Sequence, residues 1–142
     1  MTAMSSRTDA ALMRLALAAA RAAAAAGEAP VGAVVARKGR VVSVAHNLVE
    51  TSPDPTAHAE ALAIRAAARA LGRPRLADCD LIVTLEPCAM CAGAVEHARI
   101  GRLVFGAYDP KGGGVEHGAR VFQRPTCRHR PDVVGGVLEA ET

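Results

Sequence analysis

The stretch "DLIVTLEPCAMCAGAVEHARI" (residues 80–100) constrains the fold more than any other. Its first part is a continuous apolar run of strand length, the pattern of a strand buried on both faces. Pro87 follows at once, and proline suits the first turn of a helix because it has no N–H to leave unpaired. A strand covered on both sides that runs straight into a helix belongs in an α/β layer arrangement. The helix so opened carries Cys88 and Cys91 in its first turn, three residues apart and facing one side.

The rest of the chain fits that frame. Residues 8–26 read as a helix with Leu12, Leu15, Ala16 and Ala19 along one stripe, closing near Gly27. "VGAVVAR" and "RVVSVAHN" read as two strands joined in a hairpin through Lys38 and Gly39. "TSPDP" is a loop, after which Thr56 or Asp54 is expected to cap the helix "AHAEALAIRAAARAL", closed by Gly72 and Pro74. "RLVFGAY" is a further strand and "DPKGGG" a loop. A short helix or turn near residues 114–122 and a strand at "DVVGGVL" carry weaker signals. No repeat or linker divides the sequence, and 142 residues suffice for one core, so residues 1–142 are expected to form a single domain. The strand-to-helix turns near 54–58 and 86–88 should lie at the rim of the sheet, where open α/β sheets carry their sites.

Composition narrows the setting. A net charge of +3 is too mild to imply nucleic-acid binding by itself. Lys111, Arg120, Arg124, Arg128 and Arg130 nevertheless cluster against the acid Glu116, as either a solvated tail or a phosphate-binding stretch. Four unevenly spaced cysteines are too few for a disulfide scaffold and point to a reducing compartment with a metal or catalytic role. The N-terminal "ALMRLALAAARAAAAAGEA" has the apolarity of a signal peptide. Arg14 and Arg21 interrupt it, however, and alanine is the best helix former, so a soluble helix, a cytoplasmic location and no membrane partner are expected.

Alone, the Cys88–Cys91 pair is open to three readings: a redox couple, half of a structural zinc site, or ligands of a catalytic metal. "TAHAE" bears on the choice. His58 can add a neutral imidazole, and three protein ligands with an open fourth position is the pattern of catalytic zinc. A closed structural site would need Cys79, Cys127 or another histidine, and neither spare cysteine has a spacing that pairs with another ligand. A helix N-terminus favours the thiolates. Glu60, two residues after His58, does not share its helix face and can approach from beside the metal as a proton carrier. A zinc-holding binding module without turnover is the competing class, and it would have no need of Glu60.

H-A-E followed by P-C-A-M-C resembles the signature of zinc nucleobase deaminases. "EAPVGAVV", "DPTAHAE", "TLEPCAMCAGA" and "RIGRLVFGAYDPK" look like the bacterial tRNA-specific adenosine deaminases of the cytidine/deoxycytidylate deaminase superfamily, from about residue 10 to about 140. That resemblance implies a three-layer α/β/α, cytidine-deaminase-like fold: a mixed central sheet of about five strands with helices on both faces. It implies one Zn2+ per subunit on His58, Cys88 and Cys91, with Glu60 as the catalytic proton shuttle and the backbone at Pro87 and Cys88 as oxyanion donor. It makes Asn47 the holder of the base, sets Glu28, Pro30 and Val31 along the same pocket, and brings Asp109 near the sugar and backbone of the nucleotide. Without it, Asn47 reads as a turn former, Asp109 as the start of an Asp-Pro loop and Glu86 as a structural carboxylate.

The implied reaction is zinc-dependent hydrolytic deamination of adenosine to inosine at the wobble position of a tRNA anticodon loop, by a homodimer. An unpaired loop base costs least to extrude. The alternative is a deaminase of a free nucleobase or nucleoside (guanine, cytosine or adenosine), favoured by an aromatic content of only 2%, which leaves no ordinary stacking platform for a single strand.

Overall fold

A computed structural model describes residues 7–142, so the first six residues of the expected 1–142 domain lie outside the described residues. Lys38 and Gly39 both take left-handed φ, 53° and 76°, and so close a tight turn between β1 (Gly32–Arg37) and β2 (Arg40–His46). Before this hairpin runs α1 (Asp9–Ala25), started by Thr8, whose hydroxyl accepts the Ala11 N–H. After it come α2 (Ala59–Leu71), β3 (Cys79–Leu85), α3 (Ala89–Ala98), β4 (Arg102–Ala107) and the short β5 (Asp132–Val134).

The strands form one mixed sheet in the order β2-β1-β3-β4-β5. β1 is antiparallel to both β2 and β3, while β3, β4 and β5 are mutually parallel along the sheet. The β3 run is buried on both faces, as its apolar continuity requires. Ile82 joins Leu12, Met13, Val34 and Val104 beneath α1. Leu81 and Val83 point the other way, into a core with Ala63, Val95 and Phe105 beneath α2 and α3. This is the expected three-layer α/β/α arrangement with a five-stranded sheet.

Three local expectations differ. The buried stripe of α1 is Leu12, Met13, Ala16, Leu17, Ala20 and Ala23, rotated from the expected one so that Leu15 and Ala19 sit at its margin. Close approach to β1 sets that rotation: a Cβ at Gly32 would collide with the Ala16 carbonyl oxygen and come within 2.7 Å of Ala20 N. Neither Thr56 nor Asp54 caps α2, because Asp54 Oδ1 accepts the N–H and hydroxyl of Thr56 in a turn of its own. The cap position falls to His58. Likewise α3 starts at Ala89, with Cys88 as its cap and Pro87 outside the helix, the Pro87 carbonyl being taken by Gly114 N–H at 2.7 Å.

Candidate active site

Two helices begin at one point on the rim of the sheet, and each begins with a candidate ligand. His58 caps α2, Cys88 caps α3, and Cys91 is the third residue of α3. His58 Nδ1 lies 3.6 Å from the sulfur of Cys88 and 3.6 Å from that of Cys91. All three donor atoms fall within 4.8 Å of one another, and among the described residues no other group of histidine, cysteine or carboxylate donors is gathered in this way. The positive ends of two helices here favour anionic sulfur. An imidazole and two thiols fit zinc with a position to spare. The Cys91 thiol stabilises Cys88 as the thiolate, drawing Cys88 down to about 5 and holding Cys91 up, so the pair shares one proton that leaves when metal binds.

The spare cysteines stand apart. Cys79 begins β3, where burial pushes its thiol up to about 11. Cys127 lies in the C-terminal coil and donates to the His129 carbonyl.

The ligands open onto a cavity of about 380 Å3, within the size range of small-molecule sites. Val31, Asn47, Glu60 and Asp109 line it together with His58 and Cys88. Glu60 is only 4% exposed, and burial pushes its carboxyl up to about 7, the Cys88 charge adding to the effect. Asn47 is buried too. Its Oδ1 accepts the Ala59 N–H at 2.7 Å, satisfying one of the orphan donors at the start of α2. That bond fixes the orientation of the amide, leaving the NH2 as the part free to meet a ligand.

Glu28 lines the cavity, but its carboxylate is engaged. Oε1 accepts the Glu50 N–H, and Oε2 accepts the N–H and hydroxyl of Thr51, which hold the carboxyl below the usual range. Asp109 Oδ1 accepts the N–H groups of Lys111 and Gly112. Pro30 departs from expectation: it is exposed and lines a second, smaller cavity with Leu17, Ala20 and Thr84, while its neighbour Ala29 lines the first. Pro87 supplies no donor, so of the expected backbone pair only the Cys88 N–H can serve an oxyanion.

Sequence reasoning passed over Val49, Glu50 and Gly112, which also line the cavity and carry no signal in a loop. It read Glu86 as a structural carboxylate, without naming what that carboxylate would hold. That carboxylate is buried at the end of the β3 turn and accepts the backbone N–H groups of Asp109, Val115, Glu116 and His117. Burial alone would raise its pKa, but these N–H groups and the His117 side chain outweigh it and leave the carboxyl below its ordinary value. The basic stretch is no loose tail. Arg120, Arg124 and Arg130 each donate from Nε to a carbonyl of their own segment while remaining exposed. Lys111 and Arg128 are exposed too, and their backbone N–H groups bond the carboxylates of Asp109 and Glu96.

Residues 6–107 match the family model described as the cytidine and deoxycytidylate deaminase zinc-binding region. A tRNA-specific adenosine deaminase of Agrobacterium fabrum is 52% identical over 139 residues, 98% of this chain and 90% of that protein. A solved structure described in a study of A-to-I editing by tRNA:A34 deaminases at the wobble position superposes with a TM-score of 0.90 at 53% identity, covering 92% of this chain and 94% of that one. A guanine deaminase from Nitrosomonas europaea superposes with a TM-score of 0.81 at 26% identity, covering 95% and 80%.

Proposed function

This chain belongs to the cytidine and deoxycytidylate deaminase family, and from that premise we propose that it converts adenosine to inosine at the wobble position of a tRNA anticodon loop. It is a zinc-dependent hydrolytic deaminase. The observation that supports the choice of substrate is the match, over nearly the whole chain, to tRNA-specific adenosine deaminases at 52–53% identity, against 26% for the guanine deaminase of Nitrosomonas europaea and 39% over 72% of the chain for that of Bacillus subtilis.

His58, Cys88 and Cys91 would hold the zinc. When bound, zinc supplies Lewis-acid activation that makes water a nucleophile at neutral pH. Glu60 takes a proton from water, delivers it to a ring nitrogen of the base, and then carries a proton to the leaving amine, so that adenosine and water give inosine and ammonia. The buried position of Glu60 beside the ligands places its carboxyl to take a proton and to give one back. The Asn47 NH2 donates to an acceptor on the base edge, and Val31 packs against the ring. The Cys88 N–H faces the oxygen that arrives. Asp109, whose Oδ2 accepts no hydrogen bond among the described residues, stands where the sugar and backbone leave the cavity. Exposed Lys111, Arg120, Arg124, Arg128 and Arg130 meet the loop phosphates. The same reading has the protein act as a homodimer in the cytoplasm, with the whole 1–142 chain as one domain.

The test sets an anticodon stem-loop carrying a wobble adenosine beside free adenine, adenosine, guanine and cytosine. Ammonia and inosine from the stem-loop alone are expected. Rapid deamination of a free base with none in the stem-loop would replace the proposed substrate by the small-molecule one.

A further inference from the structure

Glu86 sits two residues before Cys88, on the turn that presents the metal ligands, and lines the same cavity, with its carboxylate committed to residues 109–117. Five donors converge on its carboxylate. Oε1 receives the Asp109 N–H at 3.0 Å and His117 Nδ1–H at 2.8 Å. Oε2 receives the N–H groups of Val115, Glu116 and His117 at 3.1, 2.9 and 3.1 Å. Its side chain is fully buried. An ionised carboxylate is an acceptor only, so it alone among side chains of this shape can receive all five.

The segment it gathers, residues 109–117, walls one side of the cavity through Asp109 and Gly112. The same segment is pressed onto the ligand turn. Gly114 N–H bonds the Pro87 carbonyl, and a Cβ at Gly114 would lie 2.5 Å from Ala89 N. A Cβ at Gly113 would run into the Glu86 carboxylate itself. Behind it, the His117 ring stands edge-on to Tyr108, and Tyr108 edge-on to the core residue Phe105.

We propose that Glu86 is a positioning residue that registers the 109–117 wall on the ligand turn, setting how far the Asp109 edge of the cavity stands from the metal centre and so how tightly the substrate is held. It acts through the loop, because both of its carboxylate oxygens are taken by the five loop donors. Glu86→Gln keeps the shape but turns an NH2 toward donors. His117→Ala removes one donor and leaves the four backbone N–H groups in place.

The proposal rests on the substrate reading above for its kinetic assay. In stem-loop deamination, Glu86→Gln should raise KM about tenfold with kcat within about twofold and zinc at one per chain, as expected when a buried hydrogen-bonded group is lost from a supporting position. His117→Ala should raise KM about threefold, and the double variant should resemble Glu86→Gln, because the two act as one unit. An unchanged KM in both single variants overturns the proposal. So does a loss that only tracks missing zinc or unfolded protein, the active fraction keeping its wild-type KM. Amide exchange at residues 113–117 needs no substrate. Faster exchange in Glu86→Gln than in wild type is expected, and equal rates overturn the clamp even if the substrate reading stands. Absence of inosine from the wild-type enzyme, by contrast, is a failure of the substrate reading alone.

Discussion

Two loops wall the cavity, and each hangs on one buried glutamate. The loop between β2 and α2 is tied at Glu50 and Thr51 to Glu28, while residues 109–117 are tied to Glu86. The first loop has further supports: Leu48 N–H bonds the Ala57 carbonyl, Asp54 holds Thr56, and Asn47 holds the start of α2. The second loop bends through three glycines with no regular structure; three of its N–H groups stay within it on Asp109, and of the five that bond outside it four end on Glu86 and one, at Gly114, on the Pro87 carbonyl. The contrast teaches that similar carboxylates can differ in consequence. Where other bonds share the load a clamp is replaceable, and where they do not it governs the site.

The largest expected effect lies at the centre common to both walls. Cys91→Ser should lower zinc from one per chain toward none and abolish inosine formation, read by metal analysis beside the stem-loop assay. The paired substitution Cys79→Ala and Cys127→Ala should keep the metal. Zinc lost from that pair would make the site a closed structural one and remove the reason for either wall.

Next comes Asn47, which holds the start of α2 beside the first wall and, in the proposed reaction, would also hold the base. Asn47→Ala should lower kcat/KM about 10- to 100-fold and cost about 1–3 kcal/mol of stability, because the Ala59 N–H loses its acceptor. Asn47→Asp restores that acceptor without the donor. It should therefore recover most of the stability in thermal unfolding and little of the activity. Recovery of both would mean that the residue only starts the helix.

Glu28→Gln measures the comparison itself. We expect KM to rise about two- to threefold, less than for Glu86→Gln, since a typical buried hydrogen bond contributes about 1 kcal/mol and the other supports of this loop remain. A larger effect at Glu28 than at Glu86 would reverse the ranking of the two walls.

Asp78 provides the smallest effect, remote from both. Arg73 and then Arg37 draw its carboxyl from 3.8 to about 2, at side chains that remain partly exposed. A carboxylate depressed in the folded state stabilises the protein above its unfolded value and loses that contribution as pH falls. Stability due to this group is thus complete above about pH 4 and gone toward pH 2. Asp78→Asn should flatten the urea stability curve across that window by less than about 1 kcal/mol, solvent screening included, and leave KM unchanged.

The same two loops explain what could be read in the sequence. The β3 run and the Cys88–Cys91 interval were legible because hydrophobic continuity and a three-residue spacing are local properties, whereas His58, 30 residues before Cys88, was joined to them by its ligand chemistry and the family motif rather than by spacing. Asn47 and Val31 followed from family likeness and do line the cavity. The clamps were not legible: Glu86 meets its partners 23 to 31 residues away, and Glu28 meets Thr51 23 residues away. No local pattern encodes such a pairing. Pro30 misled because its neighbours Ala29 and Val31 face the cavity while it turns to the groove beside α1. The cap positions misled because Thr56 and Asp54 found each other first, leaving His58 to begin α2.

The central claim is that Glu60 moves the proton at a zinc centre it does not help to build. Glu60→Ala, assayed for zinc content and for single-turnover inosine formation on the stem-loop, tests it most directly. One zinc per chain is expected, as in wild type, with turnover reduced by about 100- to 10,000-fold, the usual contribution of a general acid–base group. A variant that keeps most of its activity, or one that loses its zinc along with its activity, would contradict it.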